Sequence, residues 1–103
     1  MKPDEATLDI TIAEGNLLRS LLQQHLPNTT VWAYGSRVNG QAHSASDLDL
    51  VAFALPSQSA AIAELREALE ESNLPFRVDL FVWEQVPESF RESIQESYVV
   101  VHH

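Results

Sequence analysis

Tyr34-Gly35-Ser36-Arg37-Val38-Asn39-Gly40, followed after a short polar stretch by Asp47-Leu48-Asp49-Leu50-Val51-Ala52, is the run that decides how this sequence folds. Val31-Trp32-Ala33-Tyr34 is β-prone and stops abruptly at Gly35, which predicts a short first strand. Residues 36 to 46 are small and polar, with Gly40 among them, and read as a loop or a single helical turn. Asp47 to Ala54 is then a second strand. Side chains alternate across a strand, so Asp47 and Asp49 share one face while Leu48, Leu50 and Ala52 share the other.

Upstream, Thr11-Ile12-Ala13-Glu14 has the spacing of a capping box. Ala13, Leu17, Leu18, Leu21, Leu22 and Leu26 recur on one helical face, which predicts a first helix running to about His25 with Pro27 beyond its end. Downstream, Pro56, Ser57 and Ser59 open a helix that buries Ile62, Leu65 and Leu69 and turns Glu64, Arg66, Glu67, Glu70 and Glu71 largely outward. Asn73 to Pro75 end it, and Phe76 to Trp83 reads as a third strand. Pro87 starts a last helix carrying Phe90 and Ile94, and Tyr98 to Val101 adds an edge strand. A full helix between strands two and three implies a right-handed crossover and parallel pairing, whereas the shorter connection between strands one and two implies antiparallel pairing. The expected fold class is α+β: one domain over residues 1–103, with a small mixed sheet flanked by helices.

The chemistry gathers on the Asp47–Asp49 face. Two carboxylates side by side repel, and a strand with apolar neighbours gains nothing from that cost. A divalent cation removes it, and Mg²⁺ prefers such oxygens while completing its shell with water and substrate phosphates. Gly35 permits close backbone approach, the Ser36 hydroxyl is a donor, and Arg37 supplies a positive charge, so these three are the expected nucleotide-binding residues. Asp79 shares parity with Arg77, and a parallel neighbour places it near Asp47 and Asp49 as a third carboxylate. Ser36 has no histidine positioned to activate it and is not read as a nucleophile.

Composition narrows the partners. Six Lys plus Arg against fifteen Asp plus Glu give a formal charge of −9, which disfavours nucleic acid and anionic membrane surfaces. There are no cysteines, so thiolate zinc sites and disulfides are excluded. No basic-then-apolar leader begins the sequence, and the expectation is a soluble, cytoplasmic protein. A chain of this size leaves room for an oligomer or a partner that adds buried surface. His25 and His43 read as surface residues, Trp32 and Trp83 as core or interface. His102 and His103 read as a frayed tail or a tag remnant.

These residues carry a resemblance. Gly35-Ser36, ten residues, then Asp47-Leu48-Asp49 resembles the Gly-Ser-x10-Asp-x-Asp signature of the DNA polymerase β nucleotidyltransferase superfamily. The run from Tyr34 to Leu50, the leading helix and Val78-Asp79-Leu80 look like the minimal nucleotidyltransferase (MNT) domains in particular, with Asn39 where members often have arginine and Ser97 near a position where they often have glycine. The resemblance implies a polymerase β-like fold and two Mg²⁺ ions held by Asp47, Asp49 and Asp79. It also implies transfer of a nucleoside monophosphate, AMP from ATP, to a hydroxyl. MNT proteins commonly act as antitoxins paired with HEPN ribonuclease toxins, so the implied acceptor is a tyrosine of such a toxin. A chain of this length leaves little protein to shape a pocket for a second small substrate, which also favours a macromolecular acceptor. Two other readings stand beside it: a catalytically inactive module that masks a HEPN partner with its acidic surface, and a small-molecule transferase of the aminoglycoside-modifying kind.

Overall fold

The structure, a computed structural model, describes residues 8–40, 42 and 46–103, apart from the side chain of Asn39. His43 lies outside the described residues. Thr11 begins the first helix as its spacing predicts. The Thr11 N–H donates to Glu14 Oε1 at 2.8 Å, and the Glu14 N–H to Thr11 Oγ1 at 3.1 Å. This reciprocal cap starts α1 (Ile12–His25), in which Leu18 and Leu22 are fully buried. β1 (Val31–Tyr34) leads into α2 (Ser36–Asn39), one short turn, and then to β2 (Leu48–Ala52). A 3₁₀ turn at Pro56–Gln58 precedes α3 (Ser59–Glu71), which crosses over to β3 (Val78–Val82). A second 3₁₀ turn, Trp83–Gln85, precedes α4 (Glu88–Glu96) and β4 (Tyr98–His102). None of the helices among the described residues is long and apolar enough to cross a membrane.

The four strands lie in the order β3-β2-β1-β4. β2 and β3 are parallel, and β1 is antiparallel to both β2 and β4, as the connection lengths predict. One sheet face presents Ala33, Leu48, Leu50, Ala52 and Leu80 to Leu18 and Leu22 of α1 and Ile62, Leu65 and Leu69 of α3, forming the main core. The other face is covered only in part. There Tyr34 and Val51 pack with Val86, with Ile94 of α4, and with Trp32, Trp83 and Tyr98. Trp32 stacks on Tyr98 with centroids 3.8 Å apart and meets Trp83 edge-on at 5.7 Å. The tryptophans are thus packing residues of the second face.

Element boundaries differ from the sequence reading in three strands, and β2 ends at Ala52 rather than at Ala54. β2 begins after Asp47, which stands exposed just ahead of the strand. β3 begins at Val78, because Phe76 lies under the Arg37 guanidinium, 4.2 Å from its ring centroid, and Trp83 already turns into the 3₁₀ segment. His102 is no frayed tail: it belongs to β4, and its Nε2 lies 2.8 Å from the Leu26 carbonyl oxygen beyond the end of α1.

Candidate active site

The strand registers set four residues abreast. Tyr98 pairs with Tyr34, Tyr34 with Asp49, and Asp49 with Asp79, so one row crosses all four strands on the partly open face. Sequence parity anticipated the two aspartates. It did not bring in Tyr34, although an antiparallel partner for β2 ending at Gly35 puts it opposite Asp49.

Gly35 makes the row possible. Its φ of 84° and ψ of −157° lie in a region that only glycine adopts without strain. A Cβ there would sit 2.5 Å from Asp49 Oδ2, so the backbone approaches the carboxylate as closely as a chain can. Gly40, with φ 80° and ψ 12°, closes α2 through its N–H to the Ser36 carbonyl. Gly35 thus turns the chain out of β1 beside Asp49, and Gly40 ends α2. Ser36 opens α2 next to Gly35 and is half-buried.

Burial first, then the negative charges of Asp79 and Asp47, raise the Asp49 carboxyl to about 6. The Tyr34 phenol is pushed far above its ordinary range by burial, with Asp49 and then Asp79 adding to the effect. Only 6% of Tyr34 is exposed, and its buried hydroxyl has no hydrogen-bond partner among the described residues. Asp79 is held by Arg77, whose Nε donates to Oδ1 at 2.9 Å from a largely exposed side chain. With Asp79 drawn to Arg77 and Asp47 outside the strand, the three carboxylates share a face without closing on one point. Among the described residues no three His, Cys, Asp or Glu side chains converge closely enough to cage an ion. The donor set nonetheless suits a hard divalent cation, because it is all carboxylate oxygen and its central member carries uncompensated negative charge.

Arg37, expected at the phosphates, lies inside the fold in this structure. Its side chain is 7% exposed, with Nε and Nη2 donating to the Ser46 carbonyl at 3.0 and 2.8 Å and Nη1 to the Asp9 carbonyl at 3.0 Å. A planar guanidinium can bridge two main-chain segments while stacking on Phe76, and here it ties the residue before Asp47 to the segment ahead of α1.

Beside the row lies a cleft of about 590 Å³ lined by Tyr34, Gly35, Asp49, Phe90, Ser93, Glu96 and Ser97. Its α4 wall went unread in the sequence, since Phe90, Ser93 and Glu96 form no motif and look like an ordinary amphipathic helix.

A family model described as polymerase beta nucleotidyltransferase matches residues 16–103, a span that includes every residue of the row. The chain belongs to the polymerase β nucleotidyltransferase family. It is also similar to the probable protein adenylyltransferase MntA of Haemophilus influenzae, at 47% identity over 97 residues, covering 93% of this chain and 85% of that protein. The protein is therefore a minimal nucleotidyltransferase domain, and the small mixed sheet with its strand-ending glycine turn is the framework on which it works.

Proposed function

We propose that this nucleotidyltransferase moves AMP from ATP to a hydroxyl side chain of a protein, a tyrosine of a HEPN-type toxin, and thereby acts as its antitoxin. The observation that carries the transfer chemistry is the row in which Asp49 and Asp79 stand abreast, next to a glycine that brings the main chain against Asp49. Support for a protein acceptor comes from the similarity to the Haemophilus relative, a probable protein adenylyltransferase, and from a site built on a partly open sheet face. The HEPN assignment rests on the resemblance of the motif.

In the reaction, the acceptor oxygen attacks the α-phosphorus, a new P–O bond forms, the bond to the β-phosphate oxygen breaks, and pyrophosphate leaves. Asp47, Asp49 and Asp79 would hold two Mg²⁺ ions, which supply charge neutralisation of the phosphates and a lowered pKa for the acceptor hydroxyl. The remaining work belongs to the chain. Gly35 leaves room for phosphate beside Asp49, and the Ser36 hydroxyl donates to it. Asp79, which Arg77 pairs in this structure, takes the acceptor's proton.

Mixing the purified protein with a HEPN toxin and Mg-ATP tests the proposal. The toxin is expected to gain one or more AMP units on a tyrosine and to stay inactive after the two proteins are separated. Asp49→Asn is expected to bind the toxin and leave it unmodified. Full recovery of ribonuclease activity after separation, with no mass gained, would replace transfer by masking through the acidic surface.

A further inference from the structure

We infer that Arg37 is a positioning residue: its buried guanidinium fixes the main chain on both sides of Asp47 and joins it to the Gly35-Ser36 turn, so that the carboxylate and the turn keep a set distance. The inference rests on the proposed function, since it takes Asp47 as a ligand of a divalent cation.

Asp47 needs support from outside the sheet. It stands ahead of β2, beyond the registers that pair β2 with β1 and β3, and it is exposed. A carboxylate so placed is not aimed by the pleat of the sheet, as those of Asp49 and Asp79 are. Its two neighbours, Ser46 and Leu48, are buried, and each makes a main-chain bond. The Ser46 carbonyl accepts from Arg37 Nε and Nη2 at 3.0 and 2.8 Å, and the Leu48 N–H donates to the Arg77 carbonyl at 2.8 Å.

Both anchors lead back to the same guanidinium. Arg37 holds the first directly. It reaches the second through Phe76, the residue next to Arg77, whose ring centroid lies 4.2 Å from Arg37 Cζ. Arg37 is fixed in turn, because the Asp9 N–H donates to its carbonyl at 2.7 Å and its Nη1 donates to the Asp9 carbonyl at 3.0 Å. It follows Ser36 in the four-residue α2, so the serine that opens the turn moves only with it. The stretches of chain at Ser36, Asp47 and Asp79 therefore meet at one side chain.

Burying a charged group costs free energy that a neutral side chain in its place would not. The fold carries that cost at a residue whose Nε, Nη1 and Nη2 all reach main-chain carbonyls and whose plane lies over a ring. Lysine cannot reproduce this, since an ammonium is a compact point charge without a rigid fork. A group that orients a metal ligand from behind commonly governs metal affinity by about 10–100-fold without touching the ion.

The test titrates Mn²⁺, an oxygen-preferring stand-in for Mg²⁺, into the whole protein well below its melting temperature and counts free ion by electron paramagnetic resonance. Arg37→Lys is expected to weaken Mn²⁺ binding by about tenfold, and Phe76→Leu, which keeps an apolar side chain and the main-chain bonds, by a smaller factor. In both, AMP transfer is expected to recover at saturating Mg²⁺, so that the loss appears as a raised metal requirement. Leu69→Ala, on the core face of α3, is expected to lower the melting temperature and leave Mn²⁺ affinity unchanged. Should Arg37→Lys fail to fold, Phe76→Leu decides by the same titration. Unchanged Mn²⁺ affinity in the Arg37 and Phe76 variants, or an equal loss in Leu69→Ala, would overturn the inference. So would unchanged Mn²⁺ affinity with weakened binding of ATP in chelator, which would return Arg37 to the phosphates. Failure of the unmutated protein to bind Mn²⁺ would overturn it by striking the carboxylates, and the proposed function with them, whereas the variant results leave that function standing.

Discussion

Gly35 and Asp49 belong together, because the Asp49 carboxylate occupies the space that a side chain at position 35 would need. Gly35→Ala puts a methyl group 2.5 Å from Asp49 Oδ2 and forces alanine into a glycine-only conformation. The strain is worth about 1–3 kcal/mol, and the variant is expected to melt lower and to lose most transfer activity as Asp49 is displaced. Thermal denaturation alongside AMP incorporation checks both halves. Asp49 is itself a cost to the metal-free fold. Its carboxyl stands at about 6 in the folded protein against 3.8 without the fold, so the folded state holds the proton more tightly. This residue therefore favours folding below about pH 4, and that contribution is lost as the pH rises through about 6. In chelator at pH 7.5, Asp49→Asn is expected to be more stable than the parent, by on the order of 1 kcal/mol after allowing for solvent screening of a half-exposed group. At pH 4.5 the gap should shrink, and urea denaturation at the two values tests it. A parent that equals or exceeds Asp49→Asn at pH 7.5 would make the carboxylate structural. The placement of Asp79 abreast of Asp49 was legible in the sequence, because strand parity and parallel pairing follow from alternation and connection length. Arg37 was not. An arginine's destination depends on which carbonyls surround it, here those of Ser46 and Asp9, and neither neighbour announces that in its own identity.

At the scale of elements, α4 is the least secured part of the site. It buries Ile94 alone, and Arg91 ties it down by donating Nε and Nη2 to the Trp83 carbonyl at 3.1 and 2.8 Å while lying over the Trp83 ring. Arg91→Ala is expected to lower stability by about 1–2 kcal/mol. Mg-ATP affinity should fall as well, because Phe90, Ser93 and Glu96 ride on the same helix. Calorimetric titration next to a denaturation curve measures both, and intact affinity at reduced stability would detach α4 from binding. Strand parity, crossover and strand direction could be read beforehand, since each follows from period-two alternation or connection length. Strand ends could not, as the departures at Phe76 and Trp83 come from tertiary neighbours. His102 was misread because a terminal histidine pair resembles an appendage. In the fold, Val101 packs into the core and draws the next residue into the ladder.

For the molecule as a whole, the sheet's two faces divide the labour: α1 and α3 cover one and hold the fold, while the other stays partly open and carries the charge. A formal charge of −9 adds to the repulsion at the row, so bound cations are expected to stabilise the entire chain and not only the site. The melting temperature should rise clearly more with Mg²⁺ and ATP than with ATP and chelator, and equal shifts would remove divalent ions from the account. One feature also bears on how the molecule opens. Asp49 and Asp79 face each other across the only parallel pairing, and β3 is an edge strand joined to the sheet by β2 alone. Like charges directly across a ladder weaken it, so the seam between β2 and β3 is where the sheet is expected to part first. Amide exchange in chelator should then be faster along Val78–Val82 than along Val31–Tyr34, and Mg²⁺ should slow the former selectively. A molecule that has shed its edge strand has also lost Asp79, so under the proposed metal-dependent transfer, departure of an ion and local unfolding are expected as a single event.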